Sequence, residues 1–148
     1  MSRSEDVAGK FDGGSAGPRY LIDTCVFVDH LRGYVDAYEW FKRIANQTET
    51  PQLACSVITV AELFSGLSTE APKSEEAVAK LLSQMDMIPV CRNIACSAGM
   101  YVRKWRVSHG VGPADALIAA TACYLGVPLV TRDSRHYPMP EIKTYVPY

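Results

Sequence analysis

The chain has 148 residues, 48% of them hydrophobic and 21% charged, with a formal net charge of −1. That balance reads as ordinary globular protein with one core, and the near-zero charge neither announces nor excludes a nucleic-acid partner. No apolar run approaches the ~20 residues of a membrane helix, and the opening "MSRSEDVAGK" has charges of both signs and no apolar h-region, so it is no signal peptide.

Residues 1–18 are polar and rich in Gly and Ser ("GKFDGGSAGP") and read as a flexible tail, with a single domain over 19–148. "RYLID" is a strand that stops on Asp23, and "CVFVDHLRG" starts a helix that Gly33 ends. "VDAYEWFKRIANQ" sets Ala37, Trp40, Phe41 and Ile44 at helical spacing. "QLACS" is a short strand. "ITVAELFSGL" is helical, with Val60, Leu63, Phe64 and Leu67 on one face. "KSEEAVAKLLSQM" is a helix with Ser74 as N-cap. "DMIPV" is a strand, and "NIACSAGMYVRKWRVSHG" a longer helix closed by Gly110. "PADALIAATACYLG" has Pro113 near its first turn and Gly126 at its end, the asymmetry of a helix. "VPLVTR" and "KTYVP" are the last strands. Strands separated by helices predict an α/β fold with a parallel, helix-covered sheet.

Five cysteines (Cys25, Cys55, Cys91, Cys96, Cys123) contain no CxxC pair. They read as free, mostly buried thiols in a reducing, cytoplasmic setting.

In an open parallel sheet, ligands bind beyond the carboxyl ends of the strands. Four acids fall at such places. Asp23 ends the first strand, Glu62 lies in the first turns after the second, Asp115 in the first turn of "PADALIAATA", and Asp133 follows "PLVTR". Each has a structural alternative. Thr59-Val-Ala-Glu62 matches a capping box, Asp115 complements a helix dipole, and Asp133 caps a turn at Ser134-Arg135. Asp23 is the hardest to dismiss, because an unpaired buried charge costs several kcal/mol, on the order of ~5. Four carboxylates in one cleft repel and raise one another's pKa values, and a divalent cation removes that repulsion. All-oxygen ligation suits Mg²⁺ or Mn²⁺, and no Cys/His pair has zinc spacing. Thr24 and Thr131 flank two of the acids and are suited to orient carboxylates. Arg132, Arg135 and His136 are candidate RNA contacts, while Arg103, Lys104 and Arg106 read as a solvated helix face.

The blocks "YLIDTCVFVDHLRG", "SVITVAELFSGL" and "PADALIAATACYLGVPLVTRD" resemble, in order and spacing, those of PIN-domain proteins, most of all the toxin ribonucleases of VapBC-type toxin–antitoxin pairs. The resemblance covers Tyr20 to Val146. It implies a three-layer fold with a central parallel sheet of four or five strands, and Mg²⁺- or Mn²⁺-dependent endoribonuclease activity. It also implies a homodimer and a cognate antitoxin partner. Asp23, Glu62, Asp115 and Asp133 stand in the family's acidic positions, and are expected to hold the metal and carry catalysis. Cys25 departs from the Asn or Ser usual after Asp-Thr, and a thiol would hold a carboxylate only weakly. Three rival readings stay open: a PIN-like RNA- or protein-binding module with weak or no catalysis, a phosphoacceptor receiver-like domain built on Asp23, and cleavage of DNA rather than RNA.

Overall fold

Only three residues lie between the exposed Arg19 and Asp23, and they are enough for the central strand. The computed structural model describes residues 17–47, 53–66 and 74–148. Tyr20–Ile22 forms β1, followed by helices α1 (Thr24–Leu31) and α2 (Val35–Gln47). Leu53–Ser56 is β2, followed by α3 (Val57–Ser65) and α4 (Ser74–Leu82). Asp86–Ile88 is β3, followed by α5 (Arg92–His109) and α6 (Pro113–Leu125). Leu129–Val130 is β4, Ser134–His136 a single 3₁₀ turn, and Thr144–Tyr145 is β5. Gly33, Gly110 and Gly126, read above as helix ends, have φ of 83°, 65° and 67°, a region open to glycine without the Cβ penalty.

The five strands pair in parallel in the order β3-β2-β1-β4-β5. This is the upper of the two strand numbers expected. The chain steps outward from β1 to β2 to β3, then returns across the sheet to place β4 on the other side of β1. Right-handed crossovers therefore put α5 and α6 on one face and α1–α4 on the other. The core residues follow that split. Leu21, Ala54, Ile88 and Leu129 pack with Ile94, Ala98 and Ile118; Ile22, Leu53, Cys55 and Val130 pack with Val26, Phe27, Trp40 and Leu63. Neighbouring strand residues point to opposite faces, so a strand buried on both sides reads as a continuous apolar run, as β2 does.

The order also excludes the receiver-like reading, whose sheet runs 2-1-3-4-5. Here the reversal of direction lies between β1 and β4, which pair Leu21 with Leu129 and Ile22 with Val130. Asp23 and Thr131 are the next residues after those two pairs.

Several local expectations are corrected. Helix α3 starts at Val57, with Ser56 as its N-cap: the Ser56 hydroxyl accepts from the Ile58 N–H at 3.2 Å. Thr59 is thus inside the helix and buried, and the Thr59–Glu62 capping box does not form. Of the thiols, Cys55 is buried, Cys25 and Cys91 are half-buried, and Cys96 and Cys123 are exposed. The last two lie on α5 and α6, so an apolar segment in sequence does not by itself bury its cysteine. Helix α4 includes Ser74 as its first residue and not as the N-cap expected, and the position before it, like Leu67 and residues 1–16, lies outside the described residues. Among the described residues no helix is long and apolar enough to cross a membrane.

Candidate active site

Five polar or charged side chains are buried among the described residues: Asp23, Ser56, Thr59, Thr121 and Thr131. Thr121 returns its proton to the Leu117 carbonyl one turn back. The other four gather at the carboxyl edge of β1, β2 and β4, so the polar interior of this fold is concentrated at one place.

Asp23 answers the question its position raises. It is the N-cap of α1, and Oδ1 accepts from the Thr24 N–H at 2.7 Å. Oδ2 accepts from the Thr131 hydroxyl at 2.8 Å and from the Cys25 thiol at 3.4 Å. Burial and the Asp23 charge push the Cys25 thiol up to about 12, so it stays protonated and remains a donor, though a long one. A buried carboxylate with three donors is held by its surroundings without a neutralising base.

The two threonines pass bonds from one acid to the next. Thr24 donates to Glu62 Oε1 at 2.8 Å and lies 3.0 Å from the Thr59 hydroxyl. Its one proton goes to Glu62, so Thr59 is the donor to Thr24. Thr131 donates to Asp23 and accepts from the Asp133 N–H at 3.0 Å. Glu62 is thereby tied to the start of α1, and the loop carrying Asp133 to the end of β1. Ser56 fixes where α3 begins and hence where Glu62 stands. Ser56→Ala is expected to cost about 1 kcal/mol through the lost cap, measured by urea unfolding. An unchanged midpoint would show that the cap contributes nothing.

Asp115 comes from the first turn of α6, which Pro113 opens. Its carboxyl is pushed above the usual range by burial and then by the charge of Asp23, against which His136 acts; Glu62 and Asp133 raise it further. All three other acids therefore act on Asp115, as expected if the four share an edge. His136 Nδ1 lies 3.4 Å from Asp133 Oδ2 and 3.7 Å from Asp115 Oδ2, and Arg135 Nε lies 3.6 Å from Asp133 Oδ1. Asp133 precedes the 3₁₀ turn without a side-chain capping bond, so the turn-cap alternative for it does not hold. Among the described residues no group of three or more His, Cys, Asp or Glu side chains is arranged to hold a metal ion by itself. The acids converge without closing a cage.

Arg132 is placed differently from its two basic neighbours. Its Nη1 donates to Asp29 Oδ2 at 3.3 Å, and its guanidinium lies 4.9 Å from the centre of the Tyr148 ring, whose hydroxyl donates to the same Asp29 oxygen at 2.9 Å. Arg32 is the C-cap of α1, the position in which a cation meets the helix dipole. A cavity of about 640 Å³ opens elsewhere, between α1, α2 and α4, lined by His30, Leu31, Tyr38, Phe41, Leu81 and Met85 among others. It contains none of the four acids.

The sequence profile of the PIN domain matches residues 20–142. The chain belongs to the PIN-domain family. Among its curated relatives, Ribonuclease VapC10 of Mycobacterium tuberculosis is 39% identical over 120 residues, covering 80% of this chain and 86% of the relative. Ribonuclease VapC19 of the same species is 36% identical over 120 residues, covering 80% and 92%. Among solved structures, a toxin–antitoxin complex from Klebsiella pneumoniae contains a chain that superposes with a TM-score of 0.68 at 25% identity, covering 87% of this chain and 98% of that one.

One residue of this PIN domain escapes sequence reasoning. Tyr137, in the loop "HYPMP", is 5% exposed and packs in the core beside α6. Burial holds its phenol far above the usual range, followed by the charges of Asp23 and Asp115. The only signal in the sequence is an aromatic residue with a polar tip, four positions after an acid at a strand end.

Proposed function

We propose that this protein is an endoribonuclease, the toxin of a type II toxin–antitoxin pair, which hydrolyses RNA phosphodiester bonds with Mg²⁺ or Mn²⁺ at the Asp23–Glu62–Asp115–Asp133 edge. The observation that carries the reading is the convergence of these four acids at the β1/β4 switch point, in a chain 39% identical to a VapC ribonuclease. The donor set fits the metal. It is made of carboxylate oxygens, and the raised Asp115 carboxyl marks negative charge that the protein's own cations leave uncompensated. Mg²⁺ keeps several waters and is held by one or two carboxylates together with substrate phosphates. An edge that closes no cage of its own is suited to such an ion.

Asp23, Glu62 and Asp115 would hold the cation, with Asp133 completing the site. A cation bound there polarises a phosphoryl oxygen and makes water a competent nucleophile near neutral pH. The rest falls to the chain. Thr24 and Thr131 fix the rotamers of Glu62 and Asp23, so the charges are in place before substrate arrives. Arg135, whose side chain is 90% exposed, and His136 border the acids and are positioned to receive RNA phosphates. Arg132 is less available, being engaged by Asp29 and Tyr148.

The partner is an antitoxin made in the same cytoplasm. A guanidinium from it would pair with the acid edge in competition with the metal, and the groove between α1, α2 and α4 offers apolar surface for the rest of the segment. The test is cleavage of a labelled RNA by the purified chain with Mn²⁺, with EDTA, and with Glu62→Gln. Cleavage should require the metal and should fall on the order of 10²-fold or more in the variant. RNA that is bound but never cut would favour the binding-module reading. Equal cleavage by Glu62→Gln would remove Glu62 from the site.

A further inference from the structure

Among the described residues, four buried side-chain polar atoms make no hydrogen bond: His30 Nδ1, Trp40 Nε1, Asp133 Oδ1 and the Tyr137 hydroxyl. Two of these border the acid edge, but Asp133 Oδ1 has Arg135 Nε within ion-pair distance at 3.6 Å, which leaves the Tyr137 hydroxyl as the one to account for. It is a phenol with a proton to give. Leaving a buried polar group unpaired costs about 1–3 kcal/mol, so the Tyr137 hydroxyl calls for an explanation.

Position narrows the explanation. Tyr137 directly follows His136, which lies within ion-pair distance of both Asp115 and Asp133. Its N–H donates to the Ser134 carbonyl at 3.0 Å, fixing the backbone, while the ring is locked in the core. The hydroxyl therefore cannot swing out to solvent. Asp23 acts on it by charge and as a prospective acceptor, yet no hydrogen bond of good geometry is formed. Oδ2 of Asp23 is already taken by Thr131 and Cys25. The Tyr137 proton needs an acceptor at the edge. Water can accept it, and a hydrated divalent cation brings several water molecules that its charge orders.

We propose that Tyr137 is a positioning residue of the acid edge, its hydroxyl completing a hydrogen bond only when a hydrated divalent cation is bound there and so tightening the hold on that cation. This rests on the metal-dependent reading above and goes beyond it. The four acids supply charge, and Tyr137 supplies the donor that a set of carboxylates lacks. Outer-shell hydrogen bonds of this kind typically change metal affinity by about 10–100-fold.

The experiment is a Mn²⁺ titration of wild type, Tyr137→Phe and Asp23→Asn, read by the loss of free-Mn²⁺ electron paramagnetic resonance signal, with melting temperatures in EDTA. Tyr137→Phe keeps the ring and removes the one atom in question. The metal-free variant should melt at or above the wild-type temperature, because an unpaired buried hydroxyl has been removed. Its Mn²⁺ affinity should fall about tenfold. Equal Mn²⁺ affinity in Tyr137→Phe and wild type overturns the proposal. So does a Tyr137→Phe protein that melts well below wild type in EDTA, since the hydroxyl would then already be satisfied without metal. If wild type itself takes up no Mn²⁺, it is the metal-dependent reading that fails, which the Asp23→Asn arm separates from a failure confined to Tyr137.

Discussion

Asp23→Asn is expected to abolish RNA cleavage, by on the order of 10³-fold, while the metal-free protein keeps its stability to within about 1 kcal/mol. Two effects oppose each other in the fold. Asn remains a good N-cap, so the bond from the Thr24 N–H survives. The charge-assisted bond from Thr131 weakens, while Asp115 is relieved of the largest like charge acting on it. Asp23→Ala separates the roles. It removes the cap and strands both the Thr24 N–H and the Thr131 hydroxyl, at a cost of about 2–3 kcal/mol, or a fall of roughly 5–10 °C for a chain of this size. Cleavage assays and thermal melts of both variants in EDTA decide the matter. An Asp23→Asn protein that cuts RNA as wild type does would reduce Asp23 to a cap.

Lowering the pH should stabilise the metal-free protein against its own acid edge. Asp115 has a folded pKa raised above the ordinary value of 3.8, first by burial and then by Asp23. A carboxyl raised in this way binds its proton more tightly folded than unfolded, so its contribution falls as pH rises from the unfolded pKa through the folded one, and is level above it. In EDTA, the melting temperature should therefore lose ground through that window relative to Asp115→Asn, which lacks the titration. Saturating Mg²⁺ should erase most of the difference near neutral pH by supplying the missing positive charge. A wild type and Asp115→Asn that share one pH profile in EDTA would show that Asp115 is not strained by its neighbours.

The legible parts of this molecule were those written locally. "RYLID" announced both the central strand and the anomaly at its end, because a carboxylate after apolar residues has few explanations. Pro113 and Gly126 bracketed α6 because each acts through its own backbone. The start of α3 was read one residue late, at Ile58, and its cap was not recognised, because Ser56 is both the last residue of β2 and the helix cap, and a strand residue does not look like a cap. The engagement of Arg132 was hidden because its partner, Asp29, is 103 positions away. Tyr137 was hidden for a similar reason. In "HYPMP" it looks like loop, and only the folded chain brings its hydroxyl to acids from other elements.

The hydroxyl that steadies Asp23 directly follows a strand that arrives late. Synthesis from the N-terminus delivers β1, β2 and β3 while one side of β1 still lacks its neighbour, since β4 begins only at Leu129. Until Thr131 has emerged, Asp23 has its own helix and a weak thiol for company, and Asp133 does not yet exist. A chain broken off between Asp115 and Thr131 keeps three of the four acids and lacks the hydroxyl that holds the first of them. The order of translation thus finishes the acid edge late, with only the 3₁₀ turn and β5 still to follow.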